Sequence, residues 1–468
     1  MEINIPSSLR ILQLILAVSF FFFAGGCRSA CDVELESFGE LPASGNVLMK
    51  KIAVVSSDAA DLLIRYQEEA NPLKNWTTPV SGGKKEHLFT LLYLRPSCTY
   101  LYDIVCRQKE GKDVVLADGK FTTNELPAGM QDIIFPVDIR PLLSETFEKG
   151  AVLLARRDIP GQAYLANAKG DIIWYHTIAD AGFKVAHFTG KSTILSIVAP
   201  LSYPTSYGNE ILELSLAGDT LFHLKKGERG FDRTIHHEIF YNDAQQLVTL
   251  TQEKKIMDLR RAGGTAADTI TGDGILVLDS VGNKVWEWTV FDVMDPLTDP
   301  QIKQNRTDWL HANSLSLDTD GNYLVSFYLS GQIWKVDAKS GKLLWKLGRN
   351  GDFVFRNCNS FSEVHAVHRT ANNQLLLFEN GIDQQHSAVR EYVLDEKNHT
   401  ADASLAIGLP SYLYSERMGS VYRVGDTSLL VCSAQANAVS LINKSGDILW
   451  RIRTGFIPYR AEFVSIDH

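Results

Sequence analysis

Along residues 150–468, short runs of alternating apolar and polar residues recur, each closed by a glycine turn and an aromatic residue. Gln332-Ile-Trp-Lys-Val-Asp337 and Ala438-Val-Ser-Leu-Ile-Asn443 are two such runs. The turns read Gly170…Trp174, Gly218…Phe222, Gly282…Trp286, Gly341…Trp345 and Gly446…Trp450, all of the form Gly-x-x-x-aromatic. Alternation with period two marks a strand with one face buried. Each unit therefore predicts a hairpin whose aromatic packs between neighbouring sheets. The spacings are 48, 64, 59 and 105 residues, and the last accommodates two repeats with one eroded copy at 390–395. A period near ~50 residues with four short strands per unit predicts a β-propeller rather than a helical solenoid. Five visible copies and one eroded copy predict six blades over residues 130–468. A β-helix or two barrels are the competing architectures.

The first part of the chain has a different grain. Over 28–127, strand-like runs at 51–55, 61–65, 87–93, 100–105 and 119–123 are separated by turns without helical periodicity. This predicts an all-β protein in which a β-sandwich precedes the propeller. Leu94-Arg-Pro96 followed by Tyr100 resembles the tyrosine corner of fibronectin type III and Ig-like sandwiches. Nothing in this segment has the pattern of a catalytic centre.

Residues 1–27 are an address. The stretch from Leu9 to Ala24 is apolar apart from Arg10, Gln13 and Ser19, short for a membrane span but suited to a signal-peptide core. Ala24-Gly-Gly-Cys27 resembles a bacterial lipoprotein box, which predicts an exported protein, periplasmic or at the cell surface, tethered through acylated Cys27. A plain secretory signal with an incidental cysteine is the simpler alternative.

Composition narrows the partners. The net charge of -9 supplies no basic footprint for nucleic acid, and it leaves a homodimer open. The six cysteines (27, 31, 98, 106, 358 and 432) are too scattered for a disulfide scaffold, although Cys98 and Cys106 are near enough in sequence either to bridge or to remain thiols. Their spacing with histidine calls for no metal, and no cofactor motif is present.

The candidate chemistry lies in the predicted innermost strands. Ile235-His236-His237-Glu238, Asp308-Trp-Leu-His311-Ala-Asn313-Ser314 and Glu363-Val-His365-Ala-Val-His368 occupy one structural position in three consecutive blades. Five of the 12 histidines fall there. A lone strand histidine is usually a structural hydrogen-bonder; three blades presenting imidazoles together imply a site. Regular alternation predicts that His236 and His237 face opposite ways, that His311 and Asn313 share a face, and that His365 and His368 do not.

These motifs, with Phe378-Glu-Asn380-Gly381, Ser387-Ala-Val-Arg390-Glu-Tyr392, Gly419-Ser420 and Tyr459-Arg460-Ala-Glu462, resemble the bacterial arylsulfate sulfotransferases that work without the nucleotide donor PAPS. The resemblance implies a sulfuryl transfer from aryl sulfates to phenols by a ping-pong cycle. It implies His365 as the nucleophile that becomes a sulfohistidine, His311 and His237 as catalytic partners, and His236, Asn313 and Tyr328 as substrate-binding groups. Tyr328 stands where the family usually carries an arginine, so one fixed charge is missing there, and Arg390 is a candidate to replace it. The family's short disulfide loop has no counterpart, since Cys358 lacks a nearby partner. Two other readings remain at this stage: a non-catalytic propeller that binds a ligand or protein, and a metalloenzyme with His236 or His237, His311 and His365 as ligands.

Overall fold

The computed structural model describes residues 33–41, 45–108, 113–140 and 143–466. The leader with Cys27, and Cys31, lie outside them. The chain divides into two compact units, one holding the described residues up to Gln131 together with Ile172–Tyr175, the other Asp132–Asp171 and His176–Ile466. Both are built from strands.

The first unit is hydrogen-bonded as one six-stranded sheet rather than two separate ones. The cause is Lys50–Glu68, a 19-residue strand whose first half pairs with Leu35–Glu40 and Ser81–Leu91. Its second half pairs with Asn71–Thr77 and Thr99–Cys106. Ile52, Val54, Leu62, Ile64, Trp76, Phe89, Tyr100 and Phe121 from both halves share one apolar core. The Tyr100 hydroxyl accepts from the Arg95 amide at 2.8 Å, across the turn that precedes it. Cys98 and Cys106 stand at opposite ends of the strand Thr99–Cys106, which at about 3.3 Å per residue keeps them too far apart to bridge to each other.

In the second unit, six sheets of four or five strands follow one another. Their innermost strands lie side by side in chain order: Gly182–Phe188, Thr234–Tyr241, Ala312–Leu317, Val364–Arg369 and Ser420–Val424. Ala461–Ser465 then touches both Ser420–Val424 and Gly182–Phe188, so the order returns on itself as a β-propeller. Strands from the beginning and the end of this unit close the ring. Ala461–Ser465 is the innermost strand of the first sheet, paired with Gly150–Arg156, and Ile134–Ile139 is the outermost strand of the last, paired with Ile448–Thr454.

Each sheet buries both faces against its neighbours. Val248, Ile275 and Trp288 of the third sheet pack with Leu315, Val325 and Trp334 of the fourth. Ile333 and Trp345 of the fourth pack with Leu375 and Tyr392 of the fifth. Each such side chain contributes roughly 1.5–3 kcal/mol of burial, and the ring makes the contacts repeat. The five glycines of the repeated turn all have positive φ, between 70° and 93°. At Gly341 a Cβ would lie 2.9 Å from the Trp288 ring, and the Trp288 indole donates to the Gly341 carbonyl. The aromatic of one sheet thus seats under the turn of the next. Trp345 and Trp450 are buried as expected, but Phe222 and Trp286 are only half-buried, and in the third sheet Trp288 takes the central place.

Candidate active site

The three histidine-bearing inner strands do not run regularly, and this decides where the side chains go. In Thr234–Tyr241 the pairing slips between His236 and Ile239, with His237 at φ 59°. In Ala312–Leu317 it slips between Ala312 and Ser314, just after Leu310 and His311 at φ 69° and 58°. In Val364–Arg369 it slips between His365 and His368, with Ala366 at φ 52°. Non-glycine residues with positive φ cost about 1–3 kcal/mol each and concentrate where a structure holds side chains for use.

The bulges overturn the expected alternation. His236 and His237 do not part; their Nδ1 atoms are 2.7 Å apart. His311 and Asn313 do part. His311 Nδ1 meets Asp308 Oδ2 at 2.7 Å, whereas Asn313 enters the seam between two sheets. There its amide donates to the Val364 carbonyl at 2.7 Å and accepts from Ser326 Oγ, so both ends are engaged before any substrate arrives. His368 is held by the Ala366 carbonyl and packs on Tyr422.

The rings of His236, His237, His311, Tyr328 and His365 form a chain with successive centroids 4.9, 5.2, 5.7 and 5.4 Å apart. Tyr328 therefore stands between His311 and His365, and its hydroxyl donates to the Glu416 carbonyl at 2.8 Å. All six residues singled out in the sequence for catalysis or binding come together, Asn313 at the margin.

Two residues fix the state of His365. Its Nδ1 lies 2.7 Å from Asn380 Oδ1. The Asn380 amide nitrogen donates to the carbonyls of Ser415 and Met418, which sets the oxygen toward the ring. Nδ1 must then carry the proton and Nε2 the lone pair. Among the described residues, the donor to Nε2 is the Met418 amide, at a long 3.3 Å.

Electrostatics separates the imidazoles into two kinds. Burial holds His365 down to about 3 and His236 to about 4, and pushes His237 well below the ordinary value. All three are neutral near pH 7. His311 goes the other way: burial opposes its charge, but the Asp308 hydrogen bond and charge outweigh it and raise the pKa. Its side chain is also the most open of the four, 24 % exposed. Behind His236, burial pushes Asp273 up to about 7.

The cation at this centre is Arg460. It ion-pairs with Glu238 and donates from Nη2 to the Asn313 carbonyl at 3.1 Å. Glu238 also meets His187 Nε2 at 2.6 Å. Burial would raise the Glu238 carboxyl, but Arg460 and His187 hold it at about 2. Arg390 does not supply the missing charge; it is paired with Glu379 at 2.7 Å. The sequence names Arg460 within a motif but gives it no role, because ring closure brings it to Glu238 from 222 residues away. The signal was there: it immediately precedes the last inner strand, as His311 precedes Ala312–Leu317. Among the described residues, no group of three His, Cys, Asp or Glu side chains is arranged to hold a metal ion.

A propeller whose central strands gather neutral imidazoles, one raised imidazole and a buried guanidinium is equipped for group transfer. The model of the arylsulfotransferase (ASST) family matches residues 142–455, and the chain belongs to that family, a family of sulfotransferase enzymes. No curated protein matches the sequence. Among solved structures, the chain is similar to a protein of unknown function from Bacteroides caccae, with 10% identity and a TM-score of 0.45 over 68% of this chain and 100% of that one. Virginiamycin B lyase from Staphylococcus aureus is similar at 11% identity and a TM-score of 0.33, over 79% of this chain and 92% of that one. The β-propeller domain of Cps50 (Swd1) from Myceliophteria thermophila gives 11% and 0.36, over 69% and 89%. Likenesses this remote say nothing of activity.

Proposed function

We propose that the protein is a six-bladed arylsulfate sulfotransferase that carries the sulfuryl group on His365 in a ping-pong cycle between an aryl sulfate and a phenol. The observation that carries the reading is the fixed tautomer of His365: neutral, with Nδ1–H spent on Asn380 and the Nε2 lone pair facing one weak donor. In the first half-reaction Nε2 attacks sulfur, the N–S bond forms and the S–O bond to the aryl group breaks. His311, kept protonated by Asp308, gives its proton to the departing phenolate. In the second, neutral His311 takes the proton of the acceptor phenol, whose oxygen attacks sulfur while the N–S bond breaks and the lone pair returns to Nε2.

Charge on the sulfuryl oxygens needs donors in place before the reaction. Of the neutral rings His236 and His237, one spends its N–H on the other at Nδ1, so the pair offers one N–H, and Arg460 offers fixed positive charge, which offsets the arginine that Tyr328 replaces. The fibronectin III-like character of residues 28–127, the propeller domain over 130–468, export and the acylation of Cys27 belong to the same proposal. They place the enzyme in the periplasm or at the cell surface. The test is release of phenolate from a chromogenic aryl sulfate, stimulated by a second phenol. His365→Ala lowers it by about three orders of magnitude or more; unchanged turnover in that variant refutes the assignment.

A further inference from the structure

In the strand beside Thr234–Tyr241 and in the adjacent sheet, one buried and one half-buried cation have no ion-pair partner among the described residues. Lys184 is the extra residue of a fourth inner-strand bulge, where Gly182–Phe188 slips against Thr193–Ala199 between Phe183 and Val185. It is only 3% exposed, yet its Nζ reaches just the Tyr203 carbonyl, at 3.5 Å, leaving three donors on one long contact. Arg157 follows the strand Gly150–Arg156 of the adjacent sheet, and its Nη1 is enclosed without a hydrogen-bond partner. A Cβ on Gly182 would come within 1.9 Å of the Arg157 carbonyl, so the two segments touch.

Other buried cations of this propeller each face a carboxylate, although Arg423 Nε and Arg460 Nε, like Arg157 Nη1, have no hydrogen-bond partner among the described residues. Lys335 faces Asp318, Asp320 and Glu396; Arg369 faces Asp318 and Glu396; Arg423 faces Glu391. For Lys184 and Arg157 the offsetting carboxylate is Asp158, which is exposed and lies 3.7 Å from Arg156. Burial lowers both cations, Arg157 presses on Lys184, and Arg417 presses on Arg157. Holding unpaired positive charge away from water is unfavourable, and an anion supplied from outside removes the cost.

Tyr459 gives the distance to the chemistry. Its ring is 5.7 Å from Arg157 Cζ and 5.9 Å from the His237 ring, so both pack against one aromatic. One sulfuryl group cannot touch both the imidazoles and these cations, but an aromatic substrate with an acidic substituent spans such a gap.

We propose that Lys184 and Arg157, with Arg417 beside them, form a subsite for the carboxylate of an aromatic substrate, so that acidic phenols are the preferred acceptors. The subsite deepens the sulfotransferase reading and rests on it for its biological meaning. Calorimetry on the full chain with 3-(4-hydroxyphenyl)propionate and its neutral counterpart 4-propylphenol tests it. The wild type should bind the carboxylate at least about tenfold more tightly. Lys184→Met and Arg157→Gln should each remove most of that preference and leave 4-propylphenol within about twofold, a split that mere loosening of the fold would not produce. Equal binding of the two phenols by the wild type, or parallel weakening of both in the variants, overturns the proposal. kcat/KM for the same pair separates the two readings. A preference in binding without turnover of either phenol sinks the sulfotransferase and leaves the subsite standing.

Discussion

The two halves of the ring do different electrostatic work. The third to fifth sheets contribute His236, His237, His311 and His365, three of them neutral through burial. The sixth, first and second sheets contribute Arg417, Arg460 and Lys184 at or just before their inner strands, and Arg157 just after the strand next to one. A nucleophile must be uncharged and have a free lone pair, and a sulfuryl group needs positive charge near its oxygens. The halves meet at the nucleophile, where Met418, the residue after Arg417, donates its amide to His365 Nε2. His187 and Arg460 join them again at Glu238, which tempers the charge of Arg460.

The largest way to break this division is at that bridge. Arg460→Met leaves Glu238 enclosed with only His187 against it, and equilibrium unfolding in denaturant should show a loss of about 3–5 kcal/mol. Glu238→Gln on top should recover part of it; a purely local packing role for Arg460 predicts no recovery.

A smaller change sharpens the contrast between the raised and lowered imidazoles. Because His311 must be protonated to assist the leaving phenolate, the first half-reaction is full below its folded pKa and lost as pH rises through it. Asp308→Asn removes what raises that pKa. The alkaline limb should move to lower pH, with a loss of activity near neutral pH. A limb that stays in place assigns the acid elsewhere.

The smallest effect concerns His187 at the boundary. Burial opposes its charge, but Glu238 and Glu462 outweigh it and hold its pKa at about 9, above the usual 6.5. Its stabilisation is full below about pH 6.5 and is lost as pH rises through about 9. His187→Gln should flatten that part of the stability profile, visible as a drop of about 2–4 °C in the wild-type Tm that the variant lacks.

Much of the ring was legible because its signals are local. A glycine with positive φ followed by an aromatic marks a hairpin wherever it occurs, and the five such turns lie where the sheets turn. The closing strands Ile134–Ile139 and Ala461–Ser465 carry no such turn, so the way the ends join was hidden. The histidine cluster was legible as a position in three repeats, but its geometry was not. Period-two alternation is a rule for unbroken strands, and left-handed residues such as His237 and Ala366 follow from packing around the centre. The pairing of Arg460 with Glu238 and the enclosure of Lys184 depend on closure of the whole ring.

The central claim is that His365 Nε2 carries the sulfuryl group. Incubating the protein with an aryl sulfate alone, without acceptor, and measuring intact mass followed by peptide mapping tests it directly. The account predicts one added sulfuryl group, on the peptide that contains His365, discharged when a phenol is added. No added mass, or a sulfuryl group that maps to another residue or survives the phenol, would contradict it.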